Sequence, residues 1–278
     1  MGSGQAIRYK KIAHEAPLAL MPMVSSMTDY EYALVHLFEE SSDYFKFFKK
    51  ALKEGREVIL DNSLYELGEA FDTEKYASWI KKLKPTEYII PDVLGDSDGT
   101  VKEAEEWMKK YSDLPGKKIG VVHGHDFYEM VDCYNGLVNA GVDKIAFTFR
   151  GSAYESIIGG TSSSESIKLA SWALGRIAVL ERMIEECVIE ESLPHHLLGC
   201  SIPTEFTHYK DPRFNWIESI DTSNPVTLAM EDYRYDAGGG VSFKPSIIIA
   251  EEMFEPVGQW KNVHVRLNIG EFKKLVNG

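Results

Sequence analysis

Glu57-Val58-Ile59-Leu60-Asp61-Asn62-Ser63-Leu64-Tyr65 is the stretch on which the fold turns. It is an apolar run too short for a helix, and it stops abruptly at an acidic residue followed by small polar ones. Such a run reads as a buried strand that ends where the chain meets solvent. The same form recurs along the chain. Leu18–Val24 precedes it, Tyr88–Ile90 ends at Pro91-Asp92, and Lys118–Val122 ends at His123-Gly124. Lys144–Phe149 then ends at Arg150-Gly151, His196–Leu198 at Gly199-Cys200, and Trp216–Ile220 at Asp221. Helical spacing fills the intervals. Tyr76, Trp79, Ile80 and Leu83 share one face of Asp72–Leu83, and Val101, Ala104, Trp107 and Met108 share one face of Ser97–Tyr111. Ser164–Glu186 carries Leu169, Trp172, Ala173, Leu180 and Ile184 in the same way. Strands alternating with helices imply a parallel sheet. Seven runs, with an eighth at Asn262–Leu267, predict an α/β protein built as one (β/α)8 TIM-like barrel over residues 1–278. An open doubly wound sheet would place its crevice at the same strand ends. No glycine-rich phosphate loop follows any run. Thr161–Glu165 and Gly238–Gly240 read as flexible segments, the first a candidate lid.

The chain has 278 residues and a formal net charge of −13. A nucleic-acid partner would then need a local basic patch rather than a basic protein. Lys46, Lys49, Lys50 and Lys53, and again Lys81, Lys82 and Lys84, form clusters, although a solvated helix face explains either. Cys133, Cys187 and Cys200 have no CxxC spacing and are odd in number, which fits a reducing compartment better than a disulfide framework. No apolar run reaches membrane-spanning length.

The chemistry-bearing residues gather at the strand ends. Asp61, Asp92 and Asp221 close three runs, and convergent carboxylates can divide into nucleophile and acid/base because burial and mutual repulsion separate their titrations. Each could instead cap the next helix. His123 and His125 flank Gly124 and could join the aspartates around a metal. His195 and His196 open a strand at its N-terminal end, the end that serves stability in a barrel, and are read as structural.

In their order, these motifs resemble the tRNA-guanine transglycosylase superfamily, above all its phage and bacterial branch acting on DNA. The resemblance runs from Leu18 to Pro225. It rests on Asp61-Asn62-Ser63-Leu64-Tyr65, Asp92, Val122-His123-Gly124, His196-Leu197-Leu198-Gly199 with Pro203 following, and Asp221-Thr222-Ser223-Asn224-Pro225. It departs where the family has a double glycine (Ser63-Leu64 here), a strand-four Gln (His123 here) and a strand-five Gly-Gly (near Thr148–Gly151 here). The family's cysteine-rich zinc site also has no counterpart, since no Cys lies beyond Cys200, and the chain runs only 57 residues past Asp221 (278 − 221). The resemblance implies exchange of a guanine in nucleic acid for a 7-deazaguanine. Asp221 would be the nucleophile and Asp61 the acid/base. Asp92, His123, Gly124, Tyr65, Asn62, Leu198 and Gly199 would bind the base. DNA ahead of tRNA, and a free 7-deazaguanine base, are the implied partners; a homodimer is admitted. No cofactor, metal or membrane is expected, and the implied setting is the cytoplasm of a bacterium or a phage-infected cell. Two other readings stay open: a non-catalytic relative that binds nucleic acid or a partner subunit, and an unrelated metal-dependent barrel hydrolase or lyase.

Overall fold

The computed structural model describes residues 8–149, 152–159, 164–235 and 242–278. Arg150-Gly151, Gly238–Gly240 and most of the Thr161–Glu165 segment lie outside them. Among the described residues there are eight strands: β1 (Lys11–His14), β2 (Glu31–Leu34), β3 (Val58–Asp61), β4 (Glu87–Ile89), β5 (Lys117–Val122), β6 (Lys144–Phe147), β7 (His195–Leu197) and β8 (Ile217–Thr222). All are parallel, in the order β1-β8-β7-β6-β5-β4-β3-β2, so the sheet curls into a nearly closed (β/α)8 barrel. Side chains close the seam between β1 and β2. Thr28 Oγ1 accepts from the His14 N–H and donates to the Ile12 carbonyl, and Asp29 Oδ2 accepts from the Ile12 N–H.

The helices are α1 (Met21–Ser25), α2 (Leu37–Glu40), α3 (Ser42–Lys53), α4 (Leu64–Leu67), α5 (Thr73–Leu83), α6 (Ser97–Lys110), α7 (Phe127–Ala140), α8 (Ser152–Ile157), α9 (Glu165–Glu185), α10 (Asn224–Met230) and α11 (Lys261–Asn277). Three long ones start on an aspartate cap: Asp72, Asp96 and Asp126 accept from the N–H groups of Lys75, Gly99 and Glu129. Capping is therefore done by aspartates inside the loops, and Asp92 and Asp221 are left to other work.

Two predicted strands are corrected. Leu18–Val24 is a turn leading into α1, because Pro22 sits in the first helical turn, where a missing N–H costs nothing. Asn262–Leu267 lies within α11, whose buried Val265, Ile269, Phe272 and Val276 repeat at helical spacing. The strands that take their places, β1 and β2, are four residues each and carry Lys11, His14 and Glu31 among their apolar residues, so neither reads as an apolar run.

Lys50 and Lys53 of the first lysine cluster and Lys81 and Lys82 of the second sit in the last turns of α3 and α5, where cations match the carbonyl end of the helix. Lys49 Nζ donates to the carbonyls of Lys82 and Leu83 at the end of α5. Outer helices of a barrel run antiparallel to the strands, so these lysines lie near the strand N-termini, at the far end from the strand C-termini.

Candidate active site

The C-terminal ends of the strands open into one cavity of about 850 Å3. Asp61, Asp92, His123 and Asp221 line it, together with Asn62, Tyr65, Gly124, Leu198 and Gly199. These residues marked in the sequence are thus brought together, whereas His125 is exposed and does not line the cavity. Several that were not marked join the lining: Glu15, Tyr32, Glu66, Phe149, Trp172 and Lys244.

Asp61 ends β3 with both oxygens engaged. Tyr32, from the adjacent β2, donates its hydroxyl to Oδ2 at 2.5 Å, and the Ser63 N–H donates to Oδ1. The chain makes that second bond by turning sharply: Ser63 is left-handed, at φ 62° and ψ 23°. A glycine would adopt this conformation freely, whereas a serine costs about 1–2 kcal/mol there. Burial pushes the Asp61 carboxyl up to about 7; the two donors oppose the rise, and Asp92 and Asp221 add to it.

Asp221 is held differently. Its Oδ1 accepts from His196 Nε2 at 3.0 Å and from the Gly199 N–H at 3.1 Å. Gly199 has φ +62°, and a Cβ built there would fall 2.6 Å from the Phe149 ring, so glycine is required twice over. Arg176 of α9 anchors this loop. Fully buried, it pairs with Glu205 at 2.6 Å and donates to the carbonyls of Thr148, Leu198 and Gly199. β8 ends at Thr222 and α10 starts at Asn224, with Pro225 in its first turn.

The third aspartate, Asp92, accepts from Asn62 Nδ2 at 2.6 Å and pairs with His123 Nε2 at 2.6 Å. His123 Nδ1 accepts from the Gly95 N–H, which leaves the ring proton on Nε2, facing Asp92. His123 therefore buttresses Asp92 in this arrangement, rather than presenting a free donor to a base. Among the described residues, no three His, Cys, Asp or Glu side chains are grouped to hold a metal ion.

The wall is aromatic on one side. Tyr65, exposed at 44%, meets Phe149 edge-on at 5.7 Å, Phe149 meets Trp172 at 6.3 Å, and Lys244 Nζ lies 4.2 Å over the Phe149 ring. Part of the lining is acidic. Burial drives Glu15 well above the ordinary carboxylate range, with Asp221, Glu66 and Asp61 adding to the rise and Lys244 opposing it. Burial, then Asp61, push Glu66 up to about 8. An acidic, half-aromatic cavity suits a flat ligand rich in N–H donors.

His195 packs as the sequence reading has it, whereas His196 also reaches a carboxylate of the cavity. Strand alternation sends His195 outward against Trp216, at 4.7 Å, and onto the Tyr134 hydroxyl, and sends His196 inward onto Asp221. β7 is only three residues long, so its first residues already lie within reach of the cavity floor.

A scan against protein-family models and a search of curated proteins each return no match to this chain. No helix among the described residues is long and apolar enough to cross a membrane. The cysteines are free, Cys133 and Cys200 buried and Cys187 exposed.

Proposed function

We propose that this chain is a base-exchange transglycosylase that replaces guanine in nucleic acid, DNA rather than tRNA, with a 7-deazaguanine derivative. The observation that carries the reading is the unequal treatment of two carboxylates in one cavity. Asp61 is pushed up to about 7, while Asp221 is gripped at Oδ1 by an imidazole and a backbone N–H, and no donor among the described residues bonds its Oδ2. An acid poised near neutrality beside an aimed carboxylate suits double displacement.

In this reading Asp221 attacks C1′ of the target nucleotide, and the bond to guanine breaks as Asp61 delivers its proton to the departing base. The product is a glycosyl ester on Asp221. The incoming base then attacks C1′, Asp61 takes its proton, and the ester bond breaks to restore Asp221. Two easier substitutions replace one hard one. Asp92, steadied by Asn62 and His123, keeps lone pairs for N–H donors on the base edge. Tyr65 offers a ring to the face of an extruded base. Among the described residues, Lys168 and Lys244 are the cations on the cavity wall, and phosphates would approach there rather than along the distant α3 and α5 lysines. The preference for DNA rests on the segment after Asp221, which has no cysteines of the kind the tRNA enzymes use to hold zinc. The metal-dependent alternative is less well supported, because both His123 nitrogens are already engaged.

The test is incubation with a labelled 7-deazaguanine and either DNA or tRNA, followed by nucleoside mass spectrometry. Label in a deoxynucleoside supports the proposal. Label in neither polymer, across several deazaguanines, refutes it.

A further inference from the structure

The twin histidines of β7 diverge, and His196 ends in a place that packing alone does not explain. It is completely buried inside the barrel. Its Nδ1 lies 2.9 Å from Ser219 Oγ and its Nε2 lies 3.0 Å from Asp221 Oδ1. Ser219 and Asp221 are two apart on β8, so they share a face, and the ring spans both like a clamp. Tyr30 stands edge-on to it at 6.5 Å, its hydroxyl tied to the Ile220 carbonyl at 2.6 Å. Tyr32 lies parallel at 6.2 Å, with its own hydroxyl on Asp61. An aliphatic residue would fill the same volume without any need for partners, and barrel interiors are ordinarily filled that way. Here both ring nitrogens are matched, and one of the matches is the proposed nucleophile.

We propose that His196 is the positioning residue of Asp221. The Ser219 hydroxyl donates to Nδ1, which leaves the single proton of the neutral ring on Nε2. That N–H, with the Gly199 N–H, holds Oδ1 and leaves Oδ2 as the atom offered to the anomeric carbon. The catalytic part of this inference rests on the transglycosylase reading; the tautomer does not.

Two measurements separate them. Nitrogen-15 NMR of the wild-type protein should find His196 Nε2 carrying a proton, with Nδ1 the bare nitrogen wherever the ring holds only one. A proton on Nδ1 with Nε2 bare would overturn the proposal whatever the activity, because Nε2 could not then donate to the carboxylate. In the exchange assay, His196→Leu should lower kcat by about 100-fold with KM little changed, the cost of a misplaced reacting group. His196→Gln, whose amide nitrogen can reach the Nε2 position, should recover much of that loss. Ser219→Ala, which removes only the tautomer-setting hydroxyl, should lower kcat by less than His196→Leu, and it tests the clamp even if His196→Leu fails to fold. Wild-type kcat in the three variants, with only melting temperature altered, would make His196 a core residue and refute the positioning role. Absence of exchange in the wild-type protein would refute the transglycosylase reading and leave the tautomer to decide the geometry.

Discussion

Tyr32→Phe removes one oxygen from the barrel interior, and its effect should depend on pH in a definite direction. The Tyr32 hydroxyl donates to Asp61 Oδ2 at 2.5 Å, and the ring is buried. Asp61 titrates near 7, above the ordinary aspartate value. A group raised in this way holds more protons folded than unfolded, so its contribution to stability declines as pH rises from about 4 through 7. Below pH 6 the carboxyl is largely protonated, and the variant loses a neutral hydrogen bond worth about 1 kcal/mol. Above pH 8 the bond lost is one to a charged acceptor, worth about 1.5–3 kcal/mol, and the lower part of that range applies because Asp61 opens onto the cavity. At roughly 2–4 °C per kcal/mol for a chain of this size, the fall in Tm should be about 2–4 °C at pH 5.5 and about 3–8 °C at pH 9, the larger at pH 9 in any one protein. Differential scanning calorimetry across that range reads the difference directly. The same substitution removes a donor that favours the carboxylate, so Asp61 should hold its proton to higher pH, and the alkaline limb of the kcat/KM profile should move up. An equal Tm loss at both pH values, or an alkaline limb that moves down, would refute the assigned role of Tyr32.

Three further outcomes follow from the same geometry. Asp221→Asn should abolish exchange and yield no trapped protein–nucleic-acid adduct, since an amide cannot form the ester, while Tm stays close to wild type; retained turnover would remove Asp221 from the mechanism. Glu66, pushed up to about 8, is held protonated in the fold and loses stability as pH rises through that value, so Glu66→Gln should melt with wild type at pH 5 and above it at pH 9; a gap that stays flat with pH would count against the cavity charge balance. Gly199→Ala should cost about 1–3 kcal/mol, because the new methyl meets Phe149 and φ is +62°, and kcat should fall as the N–H leaves Asp221; an unchanged kcat would show that this N–H does not aim the carboxylate.

Much of the barrel was legible from local pattern. Six apolar runs closed by polar residues became β3 to β8, because a strand buried on both faces must be apolar along its length and must stop where polar side chains are wanted. The helices of residues 72–83, 97–111 and 164–186 were readable for the matching reason, that one face of each is buried. Asp61, Asp92 and Asp221 could be singled out because the barrel turns residues at or near the C-terminal end of each strand toward the same cavity. β1 and β2 were not legible. They are four residues long and carry charged groups whose partners come from distant segments, as Lys11 pairs with Glu57 and Arg56 with Glu31. Leu18–Val24 and Asn262–Leu267 misled because a short apolar run has no period long enough to tell helix from strand.

What the sequence by itself determined, then, is the βα alternation and the identity of the acidic residues at the strand ends. Only the tertiary structure decided which groups those acids face. Tyr32 reaches Asp61 across a strand pair 29 residues apart, His196 reaches Asp221 across 25, and Glu15 enters the cavity from just past β1, a strand that no pattern marks. A titration is set by burial and by neighbours within a few ångströms, and those neighbours are chosen by how the ring closes. The different settings of two aspartates that look alike in the sequence are therefore a property of the folded barrel alone.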